Sequence, residues 1–455
     1  MTPLLLSLVL AQQPTVARVL PAAGDTTKGR PCVIAIDSLP RGRQVTAGRA
    51  TNYYGGGGVR AHCNGTTTTF ASDSIQYFAG QQRFDMIGNV HIRDTLLVLD
   101  ANLASYFLRD EHLEAHNRVV AVNRSNHSVL RGPNLTYYRV VPGVRDTTEM
   151  TATQRPTIEY RGGSAPDSAE PYIIVADRVR FRGDDRMWGG GKVTIDRSDL
   201  AARADSLMLD QRVGLGVLLG KPQIAGKEAG DTAHRYTLVG TRIELAFQER
   251  EVNLIKALGE GKATGSDWTL TADTIHLHVE HRKLQQALAW GKKTRPFAVS
   301  TLQTFTADSL ALDAPDEVLT EVRGFGKALS TSKRDSTVKA VVTSCLAALT
   351  VDVDCITGDT LVARWAQEKD SAGVLRSRIR QILAHGTARA LTHIENQDST
   401  AKGPSINYSR GQSIAIALRQ ARIDRVVVGG RADGVHLEPR PPAPPDTTKK
   451  PGTVR

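Results

Sequence analysis

The sequence predicts an all-β protein built from antiparallel strands. Apolar and polar residues alternate with a period of two in many segments, as in 273–280, where Ile275, Leu277 and Val279 share one face. One face of such a strand is expected to be dry and the other wet. Turn-forming residue types (Gly, Thr, Asp and Asn) separate these segments. No long stretch has the 3.6-residue period of an amphipathic helix.

A four-residue motif, Ala-Asp-(Ser/Thr/Arg)-apolar, recurs along the chain. Close copies begin at Ala176, Ala204, Ala272 and Ala307, and looser copies begin at Ser72 and Gly358. Glycine breaks follow these copies at intervals of about thirty residues. We interpret the aspartates as turn and corner residues that form hydrogen bonds. The spacing predicts a stacked β architecture in which each unit adds a few short strands to its neighbour.

One glycine break lies inside an alternating segment, Asp-Met-Ile-Gly-Asn-Val-His-Ile at 85–92. Gly88 and Asn89 occupy its centre, although both residue types are depleted in strands. We therefore predict that the strand bends or bulges there to change sheet.

Composition limits the function classes. The chain has 455 residues, 40% of them hydrophobic and only 5% aromatic, so we expect a core of Val, Ile, Leu and Ala. The formal net charge is +11, from 58 Lys and Arg against 47 Asp and Glu. The basic residues are spread along the chain among acidic ones, which is typical of solvated strand faces. No basic block contains interleaved aromatic residues, so the sequence does not predict nucleic-acid binding.

The N-terminus and the cysteines indicate export. Residues 1–11 form a short apolar stretch that ends in Val-Leu-Ala, the pattern of a signal-peptide cleavage site. No later stretch approaches the roughly 20 apolar residues of a membrane span. In an oxidising compartment, the natural pairing is Cys32 with Cys63 and Cys345 with Cys355. A zinc site is the alternative, but the sequence has no CxxC spacing.

The chain divides into sections by composition. After the signal peptide at 1–11, we expect an N-terminal β section at 25–142 and a loop or insertion at 143–171, which is rich in Thr, Pro, Asp and Gly. A central β section at 172–340 and a C-terminal β section at 341–437 follow. Residues 438–455 form a Pro-rich tail that we expect to be disordered.

The sequence contains no recognisable active site. The run Gly55–Gly58 lacks the remainder of a phosphate-binding motif and is interpreted as a flexible turn. His276, His278 and Glu280 lie on one strand face, but such alternation is common on wet faces and a tetrahedral site needs a fourth ligand. We therefore predict no catalytic residue, no metal and no cofactor, and a protein that is not an enzyme.

Several segments resemble the OstA-like family of lipopolysaccharide-transport proteins, which includes periplasmic bridge proteins and the N-terminal domain of the outer-membrane assembly protein. The resemblance rests on 71–107, ASDSIQYFAGQQRFDMIGNVHIRDTLLVLDANLASYF, with further rungs at 113–120, 204–224 and 272–292. It implies an elongated, stacked antiparallel β-jellyroll, a "β-taco", with an open apolar groove. In that family, the groove shields acyl chains while sugars and phosphates stay outside.

The expected function is therefore non-enzymatic periplasmic binding and transport of lipopolysaccharide or a related acylated lipid toward the outer membrane. Two alternatives remain: a structural β-solenoid or adhesin-like scaffold with a packed interior, and a secreted polysaccharide-active β-helix enzyme. The interior lipid-binding face is predicted to include Met86, Val90, Ile92, Val193, Ile195, Ile275, Leu277, Val279, Leu310 and Leu312.

The expected partners are the lipid and other jellyroll proteins of the lipopolysaccharide-transport machinery, with an end-to-end oligomer and outer-membrane association left open. Unpaired strand edges accept further strands unless they are blocked. The prolines from Pro439 onward cannot donate to a ladder, whereas the N-terminal segment carries no such block. We therefore predict that residues 32–60 dock onto another jellyroll protein by strand addition.

Overall fold

The computed structural model describes residues 32–161, 170–227, 234–248, 251–265, 268–300, 302–333, 344–345, 348, 353–369, 375–394, 404–419 and 422–439. The fold is all-β, as the alternation predicts, and its strands pair in antiparallel ladders. A 3₁₀ turn, Pro315–Glu317, lies between the strands Ser309–Asp313 and Glu321–Lys333. No helix among these residues has the length and apolar character needed to cross a membrane.

The chain forms two compact units. Unit 1 comprises Met1–Arg197 with Ser206–Val213, and unit 2 comprises Ser198–Asp205 with Gly214–Arg455. The strands up to residue 196 are β1 Val33–Ser38, β2 Arg41–Ala47, β3 Ala50–Asn64, β4 Thr69–Phe78, β5 Arg83–Arg93, β6 Leu97–Phe107, β7 His112–Asn123, β8 Val129–Tyr138, β9 Glu149–Thr153, β10 Thr157–Tyr160, β11 Tyr172–Val175, β12 Arg178–Arg182 and β13 Arg186–Asp196.

The remaining strands are β14 Leu200–Asp210, β15 Leu215–Leu219, β16 Gln223–Lys227, β17 His234–Val239, β18 Arg242–Gln248, β19 Glu251–Thr264, β20 Trp268–Glu280, β21 Lys283–Trp290, β22 Phe297–Ser300, β23 Gln303–Thr306, β24 Ser309–Asp313, β25 Glu321–Lys333, β26 Val353–Lys369, β27 Leu375–Ile394, β28 Ser405–Arg419, β29 Arg422–Gly429 and β30 Asp433–Leu437.

Each long strand of unit 1 bends near its middle, and its two halves belong to different ladders. Ladder A contains 74–78, 83–87, 103–107, 112–116 and 134–138, and ladder B contains 69–72, 90–93, 97–101, 119–122 and 129–131. The two ladders then continue with separate short strands. Strands β9 and β12 extend ladder A, while β10 and β11 extend ladder B. Strand β13 again joins both.

The bend is built from left-handed backbone that faces an aspartate. In β5, Gly88 and Asn89 have φ of 75° and 43°, the region that favours Gly and Asn. The register against β4 shifts at this point. Asn89 Nδ2 donates to Asp73 Oδ2 at 2.9 Å, and a Cβ on Gly88 would lie 2.4 Å from that oxygen. The predicted change of sheet at Gly88-Asn89 is confirmed.

The Ala-Asp motif marks the same corner elsewhere. The motif aspartate packs against a left-handed glycine in four further pairs: Asp177 with Gly191, Asp205 with Gly220, Asp308 with Gly326 and Asp359 with Gly386. Asp273 instead accepts hydrogen bonds from the backbone N–H groups of Lys293 and Thr294 at 2.8 and 2.9 Å. The corner role predicted for these aspartates is therefore confirmed.

Unit 2 repeats the bent-strand plan. Strands β25, β26 and β27 pair with one another on both sides of a register shift, which lies at 357–360 in β26 and at 385–388 in β27. The halves of β28 pair with β29 and β30. The ring centroids of Phe305 on β23 and Trp365 on β26 are 5.8 Å apart.

The prediction of a loop or insertion at 143–171 is wrong for part of that segment, because β9 and β10 lie within it. Met150 and Ala152 point inward from β9, and Ile158 is 1% exposed. The Thr, Pro and Gly content obscured this short alternation. The expected signal peptide at 1–11 and nearly all of the tail at 438–455 lie outside the described residues. The sequence predicts three β sections, bounded at 142, 172, 340 and 437, whereas contacts divide the chain into the two units above.

Two disulfides join Cys32 to Cys63 and Cys345 to Cys355. The first links the residue before β1 to the end of β3, and all four cysteines are buried. The second packs in a cluster with Leu329, Val353 and Leu391. Both cross-links therefore lie in the apolar interior and not on the surface.

Candidate functional site: the interior and its mouth

The apolar interior between the ladders is the candidate functional site. In unit 1, the ring of Phe70 on ladder B lies 6.2 Å from Phe84 and 5.7 Å from Tyr106, both on ladder A. The ladders therefore face each other and bury the inward side chains between them. Aliphatic residues dominate this interior, since successive inward positions carry residues such as Leu99, Ala101 and Ala104.

All ten residues of the predicted lipid-binding face point inward. Their exposed fractions run from 0% to 6%: Met86 0%, Val90 2%, Ile92 4%, Val193 1%, Ile195 5%, Ile275 0%, Leu277 0%, Val279 6%, Leu310 2% and Leu312 3%. In unit 1, Met86 belongs to ladder A, while Val90 and Ile92 belong to ladder B. In unit 2, Ile275, Leu277, Leu310 and Leu312 flank β21 within one ladder.

The sequence predicts an open groove, whereas side chains cover this interior. In unit 1, the strands end in two rows of turns that form the mouth between the ladders. Lip A consists of the turns 79–82, 108–111, 139–148 and 183–185, and lip B consists of the turns 65–68, 94–96 and 124–128. Polar side chains from each lip meet across this mouth and close it.

The largest of these contacts is a buried cluster around Glu111, Arg139 and Asp94. Arg139 on lip A lies 3.2 Å from Glu111 Oε2 and 3.4 Å from Asp94 Oδ2 on lip B. Their side chains are 16%, 7% and 11% exposed, respectively. Glu111 also accepts from the Cys32 backbone N–H, and Thr68 donates to Asp94 at 3.1 Å. We call Glu111, Arg139 and Asp94 the mouth cluster.

The mouth cluster perturbs the tyrosine beside it. Tyr106 donates to Glu111 Oε2 and accepts from Arg139 at 3.1 Å. Burial and the negative charge of Glu111 raise the pKa of Tyr106 above its ordinary range. Burial works to lower the pKa of Arg139, but Tyr106, Asp94 and Glu111 outweigh it and raise that pKa. Arg139 therefore remains a cation and Tyr106 remains a neutral donor near neutral pH.

Two further side-chain contacts cross the mouth of unit 1. Asn123 Nδ2, next to lip B, donates to Asp184 Oδ1 on lip A at 2.8 Å. Gln211 donates to the Tyr160 hydroxyl at the end of β10. Burial raises the pKa of Tyr160, so this hydroxyl stays protonated. Each of these bridges joins side chains, so the ladders can separate here without breaking backbone pairing.

A small cavity of about 50 Å³ lies behind these bridges. It is lined by residues of both lips and by the interior side chains Leu97, Tyr137, Met150, Ile158 and Phe181. Engineered apolar cavities that accept benzene measure about 150 Å³. An acyl chain therefore requires the ladders to move apart.

The other candidates from the sequence do not assemble into a site. His276 packs edge-on against Trp290 at 4.5 Å, and burial together with the charges of Lys256 and His278 lowers its pKa. Within the described ranges, no group of three His, Cys, Asp or Glu side chains is placed to hold a metal ion. The Gly55–Gly58 run lies within β3, where it pairs with β2 and β4 and forms the bend.

Sequence reasoning missed the mouth cluster. Its members come from three turns, and no periodic pattern links them. The one available signal was the presence of Glu111 and Asp94 in short turns between strongly apolar strands. That signal is weak, because acidic residues are frequent in turns.

No protein-family model and no curated protein sequence matches the chain. A solved structure that matches part of it is LptH, the LptA homologous periplasmic component of the conserved lipopolysaccharide transport device from Pseudomonas aeruginosa. This match has 15% sequence identity and a TM-score of 0.22, and it covers 32% of this chain and 94% of LptH. The matched part is therefore about a third of the chain.

Proposed function

We propose that the protein is a non-enzymatic periplasmic carrier of lipopolysaccharide or a related acylated lipid, which it moves toward the outer membrane. The observation that carries this proposal is an apolar interior between two ladders, whose mouth in unit 1 is closed by contacts that each involve at least one side chain. Acyl chains lie between the ladders, and the polar part of the lipid stays outside. The OstA-like resemblance of 71–107 supports the same function.

The chemistry of the interior suits acyl chains. Burying apolar surface stabilises a complex by about 25 cal/mol per Å², and the backbone groups of both ladders are already paired within their own ladders. An acyl chain that enters therefore meets mainly aliphatic side chains and does not compete with the backbone pairing. Replacement of side-chain contacts by acyl contacts keeps the interior dry while the ladders move apart.

A second candidate is a structural scaffold, and the closed interior favours it. Ile275, Leu277 and Ile255 are fully buried in unit 2, as expected for a core that is packed by its own side chains. A scaffold would keep its mouth closed and bind no lipid. The two functions therefore differ in whether the interior ever opens.

The unpaired edges of four strands favour partners that bind by strand addition, such as other jellyroll proteins. Strands β1 and β2 each pair with β3, and β29 and β30 each pair with β28. Within the described residues, the other side of each of these four strands is unpaired. Val427, Val435 and Leu437 on β29 and β30 are 52%, 54% and 52% exposed. We propose that another jellyroll protein adds a strand at the free edge of β1 and β2, within residues 32–60. The free edge of β29 and β30 is a second place for strand addition, by another jellyroll protein or a further copy of this chain, contrary to the expectation that the prolines from Pro439 onward block that end.

Mass spectrometry of the protein purified without detergent tests the carrier function. The proposal expects acylated glycolipid to co-purify in stoichiometric amount and to rebind after removal with organic solvent. A lipid-free protein that takes up no lipopolysaccharide on incubation would instead support the scaffold.

A further inference from the structure

The outer face of ladder A carries a basic, aromatic-containing surface that the interior function does not use. Strands β9, β12 and β13 pair side by side there, and their outward side chains form three rows. The rows are Glu149–Arg182–Arg186, Thr151–Arg180–Trp188 and Thr153–Arg178–Gly190. Their inward neighbours Ala152, Val179 and Met187 are buried. We call these nine outward residues the arginine face.

The arginine face has an excess of positive charge. Arg180 pairs with Glu149 at 3.1 Å, and Arg186 pairs with Asp210 at 3.2 Å. Arg178 and Arg182 are exposed, and within the part of the chain that the structure describes neither forms an ion pair. Two of its four arginines are thus free to bind an anion.

A hollow of about 500 Å³ lies on this face, open to solvent and lined by Glu149, Thr151, Arg178, Arg180, Trp188, Gly189 and Gly190. Its volume falls within the range of about 300–1,000 Å³ typical of small-molecule sites. Trp188 is partly exposed, and the guanidinium of Arg180 lies 5.9 Å from the centre of its ring.

The hollow exists because Gly190 lacks a side chain. A Cβ on Gly190 would meet no atom within 4 Å, so neither packing nor a left-handed φ requires glycine there. The residue before the left-handed glycine has a side chain at five other corners, Ile87, Leu219, Leu258, Phe325 and His385, and is a glycine at two, Gly56 and Gly429. Glycine inside a strand marks a bulge, a tight bend or a place where a ligand approaches the backbone closely, and Gly190, next to the bend at Gly191, leaves room for such an approach.

We propose that this hollow binds a phosphorylated saccharide. The indole of Trp188 offers an apolar face for the C–H side of a sugar ring. The planar guanidinium group of Arg178, which forms no ion pair among the described residues, matches a phosphate, to which arginine forms bidentate hydrogen bonds. Arg180, which Glu149 holds at 3.1 Å, adds a second positive charge beside it. Thr151 and Glu149 accept from sugar hydroxyls, and the site discriminates a phosphorylated sugar from either component alone. The site lies on the outer face, so binding there does not require the interior to open.

Calorimetric titration of the full chain with a phosphorylated, acyl-free glucosamine disaccharide tests the site. The same disaccharide without phosphate and inorganic phosphate alone serve as comparison probes. The proposal expects the phosphorylated disaccharide to bind more tightly than either. Arg178→Ala should weaken binding by roughly tenfold or more, since a charged hydrogen bond is lost. Trp188→Ala should remove the preference for the disaccharide over inorganic phosphate.

Gly190→Leu is the most specific variant, because its side chain fills the hollow. The fold accepts a leucine at the equivalent position of another corner, Leu219, which precedes the left-handed Gly220. It should abolish disaccharide binding while leaving the thermal unfolding midpoint unchanged. Arg425→Ala, which removes an exposed arginine from β29, is the matched control and should bind like the native chain. Three results would overturn the site: unaltered binding by folded Gly190→Leu, equal weakening by Arg425→Ala, or equally tight binding of inorganic phosphate.

Discussion

Removal of Arg139 should destabilise unit 1 far more than removal of a surface arginine. In Arg139→Met, Glu111 and Asp94 remain as carboxylates that are 7% and 11% exposed, with no cation between them. Loss of one partner from a buried pair costs about 3–5 kcal/mol. The matched control is Arg131→Met, because Arg131 is 55% exposed and lies 3.4 Å from Glu159. Such a surface pair contributes about 0–1 kcal/mol.

Denaturant unfolding followed by tryptophan fluorescence measures these costs. Trp188 belongs to unit 1, and the other three of the four tryptophans belong to unit 2. Replacement of Trp268, Trp290 and Trp365 by Phe therefore leaves a reporter of unit 1 alone. The free energy of unfolding should fall by about 3–5 kcal/mol in Arg139→Met and by less than about 1 kcal/mol in Arg131→Met.

A triple variant separates charge from packing. Neutral amides replace the unpaired carboxylates when Glu111→Gln and Asp94→Asn are added to Arg139→Met, so most of the lost stability should return. The triple variant should also take up a dansyl-labelled fatty acid faster than the native chain, because the mouth cluster no longer joins the lips. A cost below about 1 kcal/mol for Arg139→Met would refute the buried-pair reasoning. A triple variant as unstable as the single one would refute it as well.

Three further perturbations test the corners and the cross-links. Gly88→Ala should lower the free energy of unfolding by about 1–3 kcal/mol because the φ of Gly88 is 75°. Gly80→Ala is the control, because its Cβ would lie 3.6 Å from its nearest neighbour, and it should change that free energy little. Equal losses in the two variants would contradict the corner geometry. Cys32→Ser opens a loop that spans 31 residues and should lower the free energy of unfolding of unit 1 by about 3–4 kcal/mol relative to the oxidised native chain. With Trp188 as the reporter of unit 1, reduction of the native chain should produce the same loss, and a stability equal to that of the oxidised chain would contradict the cross-link's contribution. Burial works to raise the pKa of Asp273, but backbone hydrogen bonds from the 291–294 turn outweigh it and lower that pKa. This corner should therefore stabilise the fold above the unfolded pKa of aspartate and lose that contribution as the pH falls through the folded pKa. An unfolding free energy with the same pH dependence in Asp273→Asn would contradict this.

The inward face was predictable because strand periodicity is a local property. Alternation in 273–280 fixes which side chains share a face, and the structure places Ile275, Leu277 and Val279 inward. The corners were predictable for the same reason, since the left-handed conformation of Gly88 and Asn89 follows from residue type. Each of these inferences needs only a few neighbouring residues.

The closure of the mouth was not predictable from local pattern. Asp94 and Arg139 are 45 positions apart in the sequence, and they meet only because the bent strands bring two rows of turns together. The hollow on the arginine face has the same origin. In the sequence, Gly190 is one of three consecutive glycines. Only the pairing of the strands shows that it lies beside Trp188 and Arg178, where the missing side chain leaves a hollow.

Site-specific photo-crosslinking tests the central claim, that acyl chains lie between the ladders. A diazirine analogue of leucine is placed at Ile195 or Leu277, which face the interior, or at Thr194 or His278, which neighbour them and face outward. After incubation with radiolabelled lipopolysaccharide and irradiation, the carrier account predicts labelled protein from Ile195 and Leu277 and background labelling from Thr194 and His278. Equal labelling from both pairs, or none from the interior pair, would contradict it.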